Sequence, residues 1–413
     1  VHSSTTKIEV GPIVDADLVG LGSRSGLLWR SEHVVLVGLG NPKRVPLGLN
    51  DSTQLAQRAL EERRAADRSL LPGVGSVGFA ALPFDRGAIG ELLMPPIVIA
   101  ERNGSRYVTT TDGSSVAEAE HVVEMLLGQS APGSPTSLRV ELERSADEWR
   151  DGVVAAARDR IAAGSLEKAV FARLLTVCAD VDFSLSQIVP SLAARFPRAN
   201  LFAIDGFIGA SPELLVSRSD RIVRAHPLAG TASRLADVDA DAQQVAGLLA
   251  SSKDRVEHRI TIDWLLEELL PFCSYVDAEP EPSILTLANV HHLGTLVEGV
   301  LSEPAASVLD LVAAVHPTPA VGGDPQGQAL ALIDELEGFD RGRYAGPAGW
   351  VDAEGNGEFA VSVRTAQIDG RVAKIAAGVG VVAQSDPDAE LAETQAKFRA
   401  MLGSFLPSQE ATG

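Results

Sequence analysis

Two cysteines in 413 residues, Cys178 and Cys273, are too few and too far apart for a disulfide framework, and they belong to no CxxC or metal-spaced pattern. Both thiols are therefore expected free, in a reducing cytoplasm. No apolar run is long enough to span a bilayer. The opening VHSSTTKIEVGP has neither the basic region nor the apolar stretch of a secretory signal. Positive charge is also scarce: 35 Lys and Arg against 55 Asp and Glu leave a net charge of −20. Such a surface repels nucleic acid and anionic membranes, because phosphate binding needs clustered cations. An anionic small molecule would need a local cation, either a basic side chain or a metal.

What is present is the composition of a globular protein, with 45% hydrophobic and 22% charged residues. The length suggests two or three domains, or one large one. Residues 1–127 read as short strands and turns around one surface helix, DSTQLAQRALEERRAADRSLL, starting on an Asp or Ser cap. LGQSAPGSPTSL follows, and 128–138 is expected to be a flexible connection. Then Trp149, Val153, Ala157 and Ile161 recur every four residues, the stripe of an amphipathic helix that Gly164 stops. A long helix is expected from about Ser252 to Phe272, a hairpin turning near Asp369-Gly370, and a last helix starting at Pro387 with Ser385 or Asp386 as cap. Strands joined by turns with few long helices indicate α+β with antiparallel sheets.

One strand-like stretch, SLEKAVFARLL (165–175), puts Lys168 on the same side as Val170, Ala172 and Leu174, with Ala169, Phe171 and Arg173 opposite. Taken alone, these residues favour a lysine at the strand's mouth, its ammonium reaching back to water. Other motifs fail their tests. GASPE (209–213) lacks the closing glycine of a hydrolase elbow, and Pro212 has no N–H to offer an oxyanion. GVGVVA (378–383) does not open into a helix as a dinucleotide loop must, so a turn or close backbone approach is the better reading. His291 and His292 point to opposite faces of a strand and cannot share one zinc ion. The helix acids are more suggestive. Asp254 and Glu257 lie three apart, as do Glu390 and Glu393, with Lys397 one turn further on. Two helices with paired acids either hold a hard divalent cation or present solvated faces.

The second half also carries an ordered set of segments: FIGASPELL, PLAGTASR, SSKDRVEH, HHLGT, VHPTPAVGG, RGRYAGPAGW, GEFAVSVRTA, AAGVGVVAQSDP and ELAETQAKF. In that order they resemble the chorismate-binding enzymes: isochorismate synthase, salicylate synthase and the large subunits of anthranilate and aminodeoxychorismate synthases. The resemblance is dense over 147–402 and thin over 1–127. It implies one α+β domain over 1–413 of the aminodeoxychorismate-synthase-like type, with two extensive antiparallel sheets packed face to face and flanking helices.

The chemistry it implies adds a nucleophile at C2 of chorismate, shifts the diene and expels the C4 hydroxyl. Glu213 matches the general acid, whose pKa must sit above the free carboxyl range for it to donate near neutrality. Glu257 and Glu393 match direct Mg²⁺ ligands; Asp254 and Glu390 match neighbouring acids acting mainly through water, with Asp254 standing where many relatives carry glutamate. Tyr344, Arg364, the amides around Gly378 and Gly380, and Lys397 match the grip on substrate carboxylates. Gly230, Thr231, His292 and Ala320 match positions close to the substrate. Lys168 aligns with the base that activates water in isochorismate synthases, where ammonia users have glutamine; to act so it must be neutral part of the time, which burial favours. Ala229 stands where aminodeoxychorismate synthases carry a nucleophilic lysine, and Ala320 where salicylate-forming relatives have threonine. Together these imply an isochorismate synthase that needs Mg²⁺ and no glutaminase partner and works as a monomer. Salicylate synthase is the nearest alternative, an anthranilate-type subunit a more distant one, and a catalytically dead scaffold the rival from another class.

Overall fold

The computed structural model describes residues 3–64, 71–130, 132–164, 166–286 and 290–406, with the side chains of Ser233, Lys253 and Asp254 outside the description. Among these residues the strands form sheets of twelve, nine and three members, and the paired strands run antiparallel throughout. The twelve-stranded sheet runs from N-terminal strands such as Leu27–Arg30 into Asn200–Ile204, Phe207–Ser211, Thr365–Asp369, Val372–Val381 and Lys168–Ala179. The nine-stranded sheet likewise combines Val77–Ala81 with Pro347–Asp352, Gly357–Val361 and Leu214–Ser219. Strands from both halves of the chain thus share each large sheet.

These two sheets face each other across apolar side chains. Trp29 and Phe202 of one sheet meet Phe79 and Trp350 of the other, and the Trp29 indole N–H donates to Glu358 across the gap at 3.0 Å. The Lys168–Ala179 strand shows why its sequence is so apolar: both of its faces are covered. Ala172 and Leu174 point between the sheets, while Ala169 and Phe171 point outward under the helices that carry Trp149, Ile161 and Leu332. Alternation along 168–175 therefore gives the facing that strand geometry requires.

The four-residue stripe is buried as expected, but the helix is not plain α. Residues Arg150–Ala155 form a π-helical turn between α-helical Ala146–Trp149 and Ala156–Ala162. A spacing of four exceeds the 3.6 of an α-turn, and the wider turn keeps Trp149, Val153 and Ala157 on one face. The surface helix is shorter than its charge pattern suggests, ending at Glu61; residues 65–70 of that stretch lie outside the described residues. The 128–138 connection follows the helix Val116–Leu127 and leads to the edge strand Leu138–Leu142, and Thr136 tethers it through Asp180. The hairpin pairs Asp369 with Val372. The last helix, Pro387–Leu402, is capped by Asp386.

The third sheet goes beyond the two expected. Leu228–Ser233, Val290–Gly294 and Ser283–Thr286 form it. A register shift between Ala229 and Thr231 marks a bulge at Gly230, whose φ of 63° suits a residue without a Cβ.

Candidate active site

Both large sheets exchange strands beside a single cavity of about 130 Å³. The chain leaves the twelve-stranded sheet after Ser211 and joins the nine-stranded one at Leu214, so Glu213 sits on that crossing. It returns between Val361 and Thr365, which puts Arg364 on the second crossing. The Val361 N–H donates to the Glu213 carbonyl at 3.1 Å, locking the two crossings together. Arg364 (φ 55°) and Ala345 (φ 61°) both adopt the left-handed backbone next to the cavity, a strained setting that costs a non-glycine residue about 1 kcal/mol.

Thirteen of the fifteen residues singled out in the sequence line this cavity. Lys168 enters from its strand. The reading in which it reaches back to water is wrong: the side chain is 2% exposed and its Nζ meets Glu257 Oε1 at 2.6 Å. Val170, on the same face, lines the cavity beside it, and the adjacent strand makes room with glycine. A Cβ on Gly380 would fall 2.8 Å from Lys168 Cε and 3.0 Å from Glu257 Oε1. Close backbone approach, not a dinucleotide loop, is what GVGVVA supplies.

Glu213 is buried, and desolvation pushes its pKa up to about 7 against the pull of the Leu228 amide and the charges of Lys168, Arg364 and Lys397.

On the small sheet, His292 and His291 face opposite ways, as adjacent strand residues must. His291 bonds Asp241 at 3.0 Å, while His292 turns to the cavity. Arg364 Nη2 donates to His292 Nε2 at 3.0 Å, so the ring proton lies on Nδ1, which donates to the Gly230 carbonyl at 2.9 Å. Burial first, then the Arg364 charge, lowers the His292 pKa to about 3, keeping the ring neutral. Burial also brings Arg364 down to about 10, still cationic at neutral pH, and lifts Tyr344 to about 12, a neutral phenol. Arg364 is thus aimed by a neutral imidazole, not tied up in a cross-strand ion pair.

The two helices supply the remaining charge. Glu257 reaches the cavity from Ser252–Leu269 and Glu393 from Pro387–Leu402. Lys397 bridges Glu393 at 2.8 Å and the Gly378 carbonyl at 2.7 Å. Glu390 is buried one turn earlier but is not part of the lining. The Asp254 side chain lies outside the described residues. Among the described residues no group of three or more His, Cys, Asp and Glu side chains is placed to hold a metal ion.

Sequence reasoning missed the apolar lining of Val363, Val321 and Met401. It read RGRYAG for Tyr344 alone, although Arg341 of that segment is one of the most enclosed charges in the fold. The spacing of Glu337 and Arg341 (i, i+4, across the end of a helix) was the available signal.

Residues 32–406 match the family described as chorismate binding enzyme. The chain is 34% identical over 385 residues to the isochorismate synthase DhbC of Bacillus subtilis (strain 168), covering 90% of this chain and 91% of that protein. It is 32% identical over 355 residues to the isochorismate synthase MenF of the same organism, covering 80% and 75%. Its fold superposes on MenF, the menaquinone-specific isochorismate synthase from Escherichia coli, with a TM-score of 0.82 at 25% identity, covering 98% of this chain and 95% of that one. The chain belongs to the chorismate binding enzyme family.

Proposed function

We infer that the protein is an isochorismate synthase, an isomerase that converts chorismate to isochorismate. The observation that carries the mechanism is the pairing, in one cavity, of a buried amine at Lys168 with a buried carboxyl at Glu213, whose desolvation favours the protonated form. Lys168 Nζ takes a proton from water as its oxygen bonds C2. The diene shifts, the C4–O bond breaks, and Glu213 delivers a proton to the departing hydroxyl, which leaves as water. One water enters and one leaves, so substrate and product are isomers. Lys168 ends with an added proton and Glu213 with one fewer, and exchange with solvent resets both. Arg364 and the Tyr344 hydroxyl, with Lys397, would hold the ring and side-chain carboxylates; the guanidinium suits a planar two-point contact.

Glu257 and Glu393 fit a divalent cation. They are two carboxylates from separate helices facing one cavity, and Mg²⁺ takes a few such oxygens with waters and substrate completing its shell. When bound there, Mg²⁺ would supply positive charge to the substrate carboxylate and engage the carboxylate that otherwise pairs with Lys168. Glu390 would act from behind, through water, and Asp254 is proposed for the same part. Ala229 and Ala320 leave small apolar walls where a lysine nucleophile or a hydroxyl would otherwise stand. We propose a monomer working without a glutaminase, in the cytoplasm.

Incubation with chorismate and Mg²⁺, with and without ammonium, followed by product identification, tests the reading. Isochorismate in both cases is expected. Salicylate with pyruvate, or anthranilate in the ammonium arm, would overturn it.

Two further results are expected. Because the general acid must be protonated and the general base neutral, the logarithmic kcat/KM profile should bend downward near pH 7, its slope changing by about one decade per pH unit at the Glu213 ionisation, and a profile with no bend between pH 5 and pH 9 would remove Glu213 from that role. Gly380→Ala should fold normally yet lose about ten- to a hundredfold in kcat, since its methyl would displace the Lys168 chain from its place. Wild-type turnover in that variant would show that the approach is not tight.

A further inference from the structure

The Lys168–Ala179 strand has a gap along one edge. Gly323–Asp324 pairs with it at Lys168 and Ala169, and Leu138–Leu142 pairs with it from Leu175 onward. Between them, the Val170 N–H still donates to the Gly322 carbonyl at 2.9 Å and the Leu174 carbonyl still accepts from the Glu143 N–H at 3.1 Å, which leaves a gap centred on the Val170 carbonyl and Ala172. Side chains fill most of the gap. Arg341 Nη2 donates to the Val170 carbonyl at 2.6 Å, and Glu337 Oε2 accepts from the Ala172 N–H at 2.9 Å. The Trp149 indole donates to the Ala172 carbonyl at 3.1 Å.

Glu337 and Arg341 are themselves joined twice, Nε to Oε1 at 2.6 Å and Nη2 to Oε2 at 2.7 Å, with side chains 2% and 3% exposed. A second arm, Nη1, donates to the Val321 carbonyl at 2.9 Å, in the turn that carries Ala320. The Arg341 carbonyl accepts from the Tyr344 N–H at 2.9 Å. Phe84, from the N-terminal part of the chain, lies 4.3 Å under the guanidinium, and its N–H donates to the Gly342 carbonyl at 2.8 Å. Two pieces of cavity wall, Val170 beside Lys168 and Val321 beside Ala320, therefore meet at one ion pair, and the main chain of Arg341 holds a third, Tyr344.

We propose that the Glu337–Arg341 pair, seated on Phe84, acts as a surrogate strand that positions the Lys168 strand and the Ala320 turn for catalysis. Neither side chain lines the cavity, so both are positioning residues. The pair also gives the N-terminal part a share in the chemistry through Phe84. Burying an ion pair is costly unless its remaining donors and acceptors are used, and here the backbone of the site uses them.

The proposal rests on the isochorismate synthase reading, so the test separates the two. Arg341→Lys keeps the charge but cannot make the forked set of bonds. Measured well below its melting temperature, it should lose about ten- to a hundredfold in kcat with KM for chorismate changed less than threefold. Amide hydrogen exchange should accelerate in residues 166–172 and 318–323 and not elsewhere. Unchanged kcat, or exchange in those segments equal to wild type, overturns the proposal. Should Arg341→Lys fail to fold, Phe84→Leu leaves the ion pair itself in place; it should show the same local exchange with a three- to tenfold loss in kcat, and wild-type behaviour would be equally fatal. A wild-type protein that leaves chorismate unchanged would sink the functional reading, while the exchange measurement still decides the structural claim.

Discussion

Lys168→Met should remain folded, still bind chorismate, and lose turnover by about two to four orders of magnitude, the usual weight of a general base. Methionine is the informative replacement because it nearly matches the lysine stem in length and tolerates irregular packing. It therefore removes the amine without opening a cavity beside Val170 and Gly380. The obvious objection is stability, since a buried ion pair that loses one partner leaves the other stranded. That cost is softened here. Glu257 is 17% exposed at its side chain, against 2% for Lys168, so its carboxylate can be solvated from the cavity. Circular dichroism and melting would report the fold, calorimetry with chorismate and Mg²⁺ the binding, and product formation the chemistry. Turnover within threefold of wild type would take Lys168 out of the mechanism, and water activation would have to be sought elsewhere in the lining. Loss of binding together with loss of turnover would instead make the lysine an electrostatic contact for the substrate.

Much of this site was legible in the chain because strands and helix ends obey short-range rules. Alternation over 168–175 correctly put Lys168 with Val170, and adjacency alone put His291 and His292 on opposite faces. The Asp386 cap and Pro387 fixed where the last helix begins, and hence that Glu393 and Lys397 share a face. The depth at which Lys168 lies was not legible. It depends on a glycine more than 200 residues away and on a carboxylate from a separate helix, contacts that no local pattern encodes. The small third sheet escaped for a similar reason: its strands part from those of the nine-stranded sheet at Pro227 and at residues 295–296, and no local pattern tells which sheet a strand joins beyond such a break. The Glu337–Arg341 pair is, in the sequence, only an i, i+4 spacing at a helix end. Only the missing strand at Val170 and Ala172 reveals what it is for.

Glu213→Gln should separate chemistry from stability in opposite directions. Gln keeps the shape and can still accept the Leu228 amide, but it has no proton to give, so turnover should fall by about two to four orders of magnitude with chorismate affinity retained. Stability should move the other way, and the sign follows from the raised pKa. The folded protein holds this proton more tightly than the unfolded chain, about 7 against 4.5. The contribution of the carboxyl is therefore fully present below the unfolded value and is lost as pH rises through the folded one. At pH 8.5 the native enzyme carries a buried carboxylate worth on the order of 3 kcal/mol in lost stability relative to pH 4, and glutamine carries none. The melting temperature of Glu213→Gln minus that of wild type should accordingly grow more positive between pH 5.5 and pH 8.5. A difference independent of pH would mean that Glu213 is ionised throughout, and such a carboxylate has no proton to offer the departing hydroxyl.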